Sequence, residues 1–326
     1  MSKATLAVIA AASAATGAGV TALFYSKPSP ARQEQEKAPS PSISTAVKVP
    51  SSVPTPNLAS KLAVGPVNPA GVLEYGFPGP VADELSSLPL HGAYDRRTRN
   101  PAWVAEHITP QSLAIKNGDR RHSTFHEDST IPTQFRALLS DYFRSGYDRG
   151  HQVPAADAKW SQEAMNGTFA LSNMCPQVGE GFNRDYWAHF EDFCRNLANR
   201  YPSVRIVTGP LYLPHRDPDG KWRVNYEVIG NPPNVAVPTH FYKVIYAEDG
   251  SNLPQSKVAL GAFVLPNARI PNSKPLSDFE VRLEDVERAS GLEFAAKLDP
   301  SRRRRLCQEV SCSITVREFN NAKKKA

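Results

Sequence analysis

Tyr147-Asp148-Arg149-Gly150-His151, taken together with the run from Asn183 to Arg195, decides how this chain is read. The first stretch sets a histidine beside an arginine on a backbone that glycine leaves open to close approach. In the second, Asn183, Trp187, Glu191 and Arg195 follow one another at intervals of four. At about 3.6 residues per turn that interval drifts by only about 40° per step, so the four side chains share one helical face. A helix from about Asn183 to Asn199 is expected, closed by Tyr201-Pro202 because a residue before proline avoids the helical region.

These residues offer a base, an amide oxygen, a carboxylate and arginine cations, which suits the hydrolysis of a phosphodiester. The diester's charge repels a nucleophile and its alkoxide leaves poorly. A catalyst must activate water, place positive charge on the pentacovalent transition state and stabilise the departing oxygen. His151 is the candidate base: an imidazole with its ordinary pKa of about 6.5 is mostly neutral at pH 7, and cleavage is expected to rise through that value. A lone histidine is more often structural, but Gly150 and a phosphate-ready Arg149 beside it shift the weight. Asn183 can lend one carbonyl oxygen to Mg²⁺, which accepts few protein ligands and keeps most of its waters. On the expected helix Glu191 lies about 12 Å further along the axis, better placed to hold the ion's water than to bind the ion. The plainer readings are a Glu191–Arg195 pair at i+4 on an exposed surface, and a Trp187 that packs in the core.

The rest of the chain frames this site. At 326 residues, 40% of them hydrophobic, it can form one large domain or two ordinary ones. A net charge of +6 leans mildly towards an anionic partner, nucleic acid or an acidic membrane surface. Cys175, Cys194, Cys307 and Cys312 are too few for a disulfide scaffold, and the last pair lacks zinc spacing, so free, partly buried thiols are expected. Ala4 to Ser26 carries no charge and is long enough for a bilayer-spanning helix of about 20 residues. A secretory signal, a mitochondrial presequence and an uncleaved anchor all fit some of its features. Residues 27–69, rich in proline and serine, read as a disordered linker.

A folded domain is expected over residues 70–300. Strands are expected at Leu73–Pro78, Leu90–Tyr94, Trp103–Thr109, Phe169–Asn173, Val204–Thr208, Thr239–Ala247 and Val258–Leu265. Helices are expected at Pro132–Phe143, Ser161–Asn166, Leu283–Ser290 and Phe294–Leu298. Strands and helices mix without regular alternation, so the fold class is α+β, a mixed or antiparallel sheet core flanked by helices. From Ser301 a basic tail carrying Arg302–Arg305 and Lys323–Lys325 reads as a solvated, frayed end, with a supplementary phosphate-binding patch as the alternative.

Asp-Arg-Gly-His at 148–151, with Pro154 and Asp157 behind it, resembles the signature of the DNA/RNA non-specific nucleases, whose active site is a ββα-metal motif. Ser172-Asn173-Met174 with Pro176-Gln177, Asn183-x-x-x-Trp187 with Glu191, and Thr208-Gly209-Pro210-Leu211-Tyr212 are similar to that family in order and register. Asp278-Phe279, Asp285-Val286-Glu287 and Gly291-Leu292 resemble the C-terminal region of its mitochondrial, endonuclease G-like members. The resemblance implies His151 as general base and Asn183 as the lone protein ligand of Mg²⁺, with Mn²⁺ able to substitute. It implies that Glu191 holds water on the ion, that Arg149 and Arg195 face phosphate and the transition state, and that Asn173 supports the site. It further implies a sugar-non-specific, one-metal endonuclease acting on DNA and RNA and leaving 5′-phosphate ends, with roles in DNA degradation and cell death. A homodimer in the mitochondrion is implied, at the inner membrane or in the intermembrane space, with residues 4–26 targeting or tethering it; the secretory pathway is the alternative address. Cys175, inside the Asn-Met-x-Pro run, is either a redox-sensitive thiol near the site or an inert buried one.

Two other readings compete. A membrane-tethered nucleic-acid binder with an inactive nuclease fold would be favoured by loss of His151 or Asn183, and both are present. A phosphodiesterase or pyrophosphatase acting on small nucleotides would be favoured by a narrow pocket without a basic groove. A site that reads phosphate and backbone carries no base information, so indifference to sequence follows from the first reading.

Overall fold

The computed structural model describes residues 82–250 and 256–316. The segment 4–26, the linker, the strand expected at 73–78 and Lys323–Lys325 lie outside them.

Strands β1 (Ala82–Ser87), β2 (Leu90–Asp95) and β3 (Asn100–Ile108) run antiparallel to one another. Then come the short helices α1 (Pro110–Ala114) and α2 (Leu139–Tyr142), strand β4 (Asp148–His151), helix α3 (Gln162–Gly167) and strand β5 (Met174–Gln177). Helix α4 (Tyr186–Leu197) leads to β6 (Ser203–Leu211), β7 (His240–Glu248) and β8 (Val258–Pro266). The chain ends with β9 (Glu280–Val281), α5 (Leu283–Ser290), β10 (Arg303–Arg305) and α6 (Leu306–Glu309). The main sheet has the order β1-β2-β3-β6-β7-β8-β9, antiparallel along that path, with β10 parallel to β8. β4 and β5 pair separately. The class is α+β, as expected.

The sequence of β7 explains the layering. Its side chains alternate between two faces, and both faces are buried, so the strand is a nearly continuous apolar run. Phe241, Ile245 and Ala247 pack beneath α4 with Trp187, Phe190, Cys194 and Leu197. Tyr242 and Val244 pack on the other face with Leu283 and Val286 of α5. Each such large side chain contributes about 1.5–3 kcal/mol by leaving water. Trp187 is fully buried, its ring 5.5 Å from Phe182 and 5.6 Å from Phe241, so it is a core residue. α5 stops at Gly291, whose φ of 74° is the left-handed value that glycine adopts at a helix end.

Besides the helix expected from Asn183, four expected segments differ. Pro132–Phe143 is not one helix: a 3-10 turn at Thr133–Phe135 precedes α2. Distant partners claim its backbone and side chains instead: Tyr94 Oη accepts from Ala137 N–H at 3.1 Å, and Asn234 Nδ2 donates to Asp141 Oδ2 at 2.8 Å. Phe169–Asn173 contains a 3-10 turn at Leu171–Asn173, and the strand starts only at Met174. Phe294–Leu298 is irregular, its Phe294 N–H held by Glu287 Oε1 at 3.0 Å. The basic run after Ser301 is not frayed. Arg303–Arg305 pair with Val258–Leu260, Arg303 donates to the Ala295 and Leu298 carbonyls at 2.9 Å, and Leu306 is fully buried. Cys307 and Cys312, expected as free thiols, form a disulfide with their Cα atoms 5.3 Å apart. No described helix is long and apolar enough to cross a membrane.

Candidate active site

The β4–β5 register places His151 opposite Met174 and Gly150 opposite Cys175. Gly150 is required here: a Cβ would stand 2.0 Å from Gln177 Oε1, whose side chain lies across the strand. Asn173 is fully buried and fixes the chain just after the histidine. Its Oδ1 accepts from Val153 N–H at 3.0 Å, while its Nδ2 donates to the Val153 and Thr168 carbonyls at 3.0 and 2.8 Å. The geometry therefore gives Asn173 a positioning part.

His151 sits between two phenyl rings, 4.9 Å from Phe169 in an edge contact and 5.6 Å from Phe125. Its Nε2 is buried with no hydrogen-bond partner among the described residues. Burial, and secondarily the charge of Arg120, pushes its pKa down to about 3, so the ring is neutral well below the value of about 6.5 expected from sequence. The same two rings carry guanidinium groups: Arg149 Cζ lies 4.2 Å from the Phe125 centroid and Arg120 Cζ 5.5 Å from that of Phe169. Among the described residues neither arginine has an ion-pair partner. Arg120 escaped the sequence reading; the Arg120-Arg121-His122 run was its only local signal.

Asn183 does not lie on the helix. It ends a wide turn, Gly179–Asn183, in which Gly181 has φ 80° and Glu180 is extended, and α4 begins only at Tyr186. Asn183 Nδ2 donates to Asp148 Oδ2 at 2.8 Å, and Arg184 Nε donates to the same oxygen at 2.8 Å. A carboxylate only accepts, so the amide nitrogen must face Asp148 and Oδ1 points away. No described donor reaches that oxygen. The axial separation of Asn183 from Glu191 expected on a continuous helix does not apply.

Glu191 and Arg195 do lie on α4, but the expected i+4 pair is not made. Arg195 Nη1 instead donates to Asp157 Oδ1 at 2.7 Å, and Nη2 approaches Asp192 Oδ1 at 3.5 Å. Burial raises the Glu191 carboxyl to about 7, against the pull of Lys243 and Arg195. Arg120 acts on both Glu191 and His151, so its charge links the helix side of the site to the strand side. Cys175 is fully buried, and burial pushes its thiol well above the ordinary range, which favours the inert reading over a redox-sensitive one. The donor set suits a hard cation that keeps its water: one free amide oxygen, with Glu191 as the carboxylate of the same motif. No group of three or more His, Cys, Asp or Glu among the described residues could hold an ion by itself.

The sequence profile of the DNA/RNA non-specific endonucleases matches residues 68–301. The mitochondrial nuclease of Saccharomyces cerevisiae is 55% identical over 308 residues, which cover 94% of this chain and 90% of that one. Nuclease 1, mitochondrial, of Schizosaccharomyces pombe is 58% identical over 252 residues, 77% of this chain and 78% of that one. A chain from the crystal structure of an EndoG/EndoGI complex matches with a TM-score of 0.65 and 43% identity, covering 73% of this chain and 97% of that one.

Proposed function

The chain belongs to the DNA/RNA non-specific endonuclease family, and from that membership we propose that it cuts DNA and RNA with His151 as base and Asn183 as metal ligand. It is a phosphodiester hydrolase, and a mitochondrial one like the yeast relatives. The observation that supports the site assignment most is the 2.8 Å hydrogen bond from Asn183 to Asp148, which ties the ligand to the strand that carries the base.

The neutral imidazole takes a proton from the attacking water. With Nε2 buried, Nδ1 is the nitrogen open to that proton. Arg149 and Arg120, resting on phenyl rings, orient the phosphate and oppose the charge that builds on it. Arg195, held by Asp157, adds a fixed cation. Asn183 Oδ1 would hold Mg²⁺, or Mn²⁺ in its place, and Glu191 would hold its water; the ion would supply positive charge for the transition state and the leaving 3′ oxygen. The products then carry 5′-phosphates. Contacts of this kind address phosphate and not bases, which accounts for cutting both polymers.

The same reading makes the enzyme a homodimer that degrades DNA, including in cell death. Residues 4–26 target or tether it at the inner membrane or in the intermembrane space, and the linker precedes the nuclease domain. The uncharged run at 4–26 and the mitochondrial relatives support this address.

Covalently closed plasmid and a structured RNA, incubated with Mg²⁺, test the function. Nicked and linear plasmid with ligatable 5′-phosphate ends is the expected outcome. Digestion confined to free ends or to dinucleotides would overturn it.

A further inference from the structure

Behind Arg195, on the sheet face beneath α4, lies a buried group of charges of which the proposed chemistry uses only the contact of Asp157 with Arg195. Glu106 of β3 is 6% exposed, Asp157 8% and Lys243 of β7 0%. Lys243 Nζ donates to Thr208 Oγ1 at 2.8 Å and lies 4.9 Å from the centroid of the Trp187 ring. Asp157 Oδ1 accepts from Arg195 Nη1 at 2.7 Å. Asp157 Oδ2 and both carboxyl oxygens of Glu106 are buried with no donor, and the two residues line one cavity, with the charge of Asp157 acting on Glu106.

Two ionised carboxylates lining one buried space present acceptors and no donor, and buried like charges do not both stay ionised. The other ionisable groups facing this pair are Lys243 of β7 with Glu191, Cys194 and Arg195 of α4, and Asp192 approaches Arg195 from the same helix. Burial keeps the Cys194 thiol protonated, so carboxyls outnumber cations and one acid has to be neutral. Asp157 is the one committed to a guanidinium. Glu106 is the one without a cation in hydrogen-bond contact.

We propose that Glu106 is held as the neutral acid and donates its proton in a hydrogen bond to Asp157 Oδ2, which keeps Asp157 an anion aimed at Arg195. Glu106 is then a positioning residue, acting on the reaction through Asp157 and Arg195. Its burial and the charge of Asp157 both raise its carboxyl well above the ordinary range, in keeping with this state. The catalytic consequence rests on the reading of Arg195 as a cation facing the transition state; the shared proton does not.

The test uses the full chain as wild type, Glu106→Gln and Glu106→Ala. Infrared difference spectra of wild type and Glu106→Gln at pH 7 report the carbonyl stretch of a neutral carboxylic acid. Glu191, whose carboxyl is raised to about 7, contributes equally to both proteins; the wild-type-minus-variant difference is expected to retain the band of Glu106, and a difference without it overturns the proposal whatever catalysis does. The glutamine amide still donates to Asp157 Oδ2, so Glu106→Gln is expected to keep kcat within about threefold. Glu106→Ala leaves that oxygen without a donor and is expected to lose about tenfold or more in kcat with KM little changed. Equal losses in the two variants overturn the donor role. Full-rate cutting by Arg195→Ala would instead remove Arg195 from the mechanism, with the infrared band still deciding the proton.

Discussion

Asp148 Oδ2 accepts a hydrogen bond from Asn183 Nδ2 at 2.8 Å, and this contact joins the two halves of the candidate site. Asp148 is on the strand of His151, and Asn183 is in the turn before α4. The carboxylate sets which end of the amide faces outward, so it orients the ligand proposed for the metal.

Asp148→Ala is therefore expected to raise the Mg²⁺ concentration for half-maximal cleavage by about 10–100-fold. A Mg²⁺ titration of the initial rate checks this, and an unchanged half-saturation point would show that Asp148 does not orient Asn183. Asn183→Ala is expected to lose metal-dependent turnover altogether while keeping a wild-type circular dichroism spectrum.

The buried environment of His151 changes the pH expectation. Its pKa in the folded protein is down to about 3, so the base form is already present throughout pH 5–8. The single-turnover rate at saturating Mg²⁺ should show no His151 limb near 6.5, where an exposed imidazole would place it. The same depression links folding to pH. The unfolded chain takes up the proton near pH 6.5 and the folded one only near 3, so this contribution to stability is present above 6.5 and is lost as pH falls towards 3. A limb centred near 6.5 that disappears in His151→Ala would contradict the sealed ring.

Arg120 is exposed and makes no ion pair among the described residues, yet its charge reaches both His151 and Glu191. Arg120→Ala should cost about 10–1000-fold in kcat with a melting temperature within a degree or two of wild type. A variant that cuts at the wild-type rate would leave Arg120 as a surface residue.

Gly150→Ala would put a methyl group 2.0 Å from Gln177 Oε1, inside the β4–β5 pair. The strain should destabilise the domain by about 2 kcal/mol, lowering its melting temperature by roughly 4–8 °C. Activity should fall as well, because the strand that shifts carries His151. Calorimetry of the variant beside wild type measures the first effect, and no change in melting would mean that Gln177 swings clear without cost.

What could be read in the chain depended on whether the forces were local. β7, β8 and α5 were legible because their apolar patterns match their own periods and need no outside information. Motif order singled out both the strand of His151 and Asn183, which a hydrogen bond to Asp148 joins, but the placement of Asn183 off the helix was not legible. A spacing of four fits a helix, and nothing local announced the Gly181 left-handed kink that makes a turn first. The segment 132–143 bonds to Tyr94 and Asn234, partners distant in sequence, and its helical propensity was overridden. In the same way, Arg302–Arg305 looked like a solvated run because the edge of β8, the Leu306 pocket and the disulfide that follow exist only in the folded chain. Arg120 reaches the site by resting on Phe169, and no spacing rule connects them.

The most direct test of the central claim is cleavage of closed plasmid DNA and of RNA in Mg²⁺ by wild type and His151→Ala, with EDTA as control. Wild type is expected to cut both polymers, EDTA to stop it, and His151→Ala to be slower by about 10²–10⁴-fold. Cutting by His151→Ala at the wild-type rate would contradict the base assignment, and a wild type that binds DNA in Mg²⁺ without cutting it would contradict the nuclease site itself.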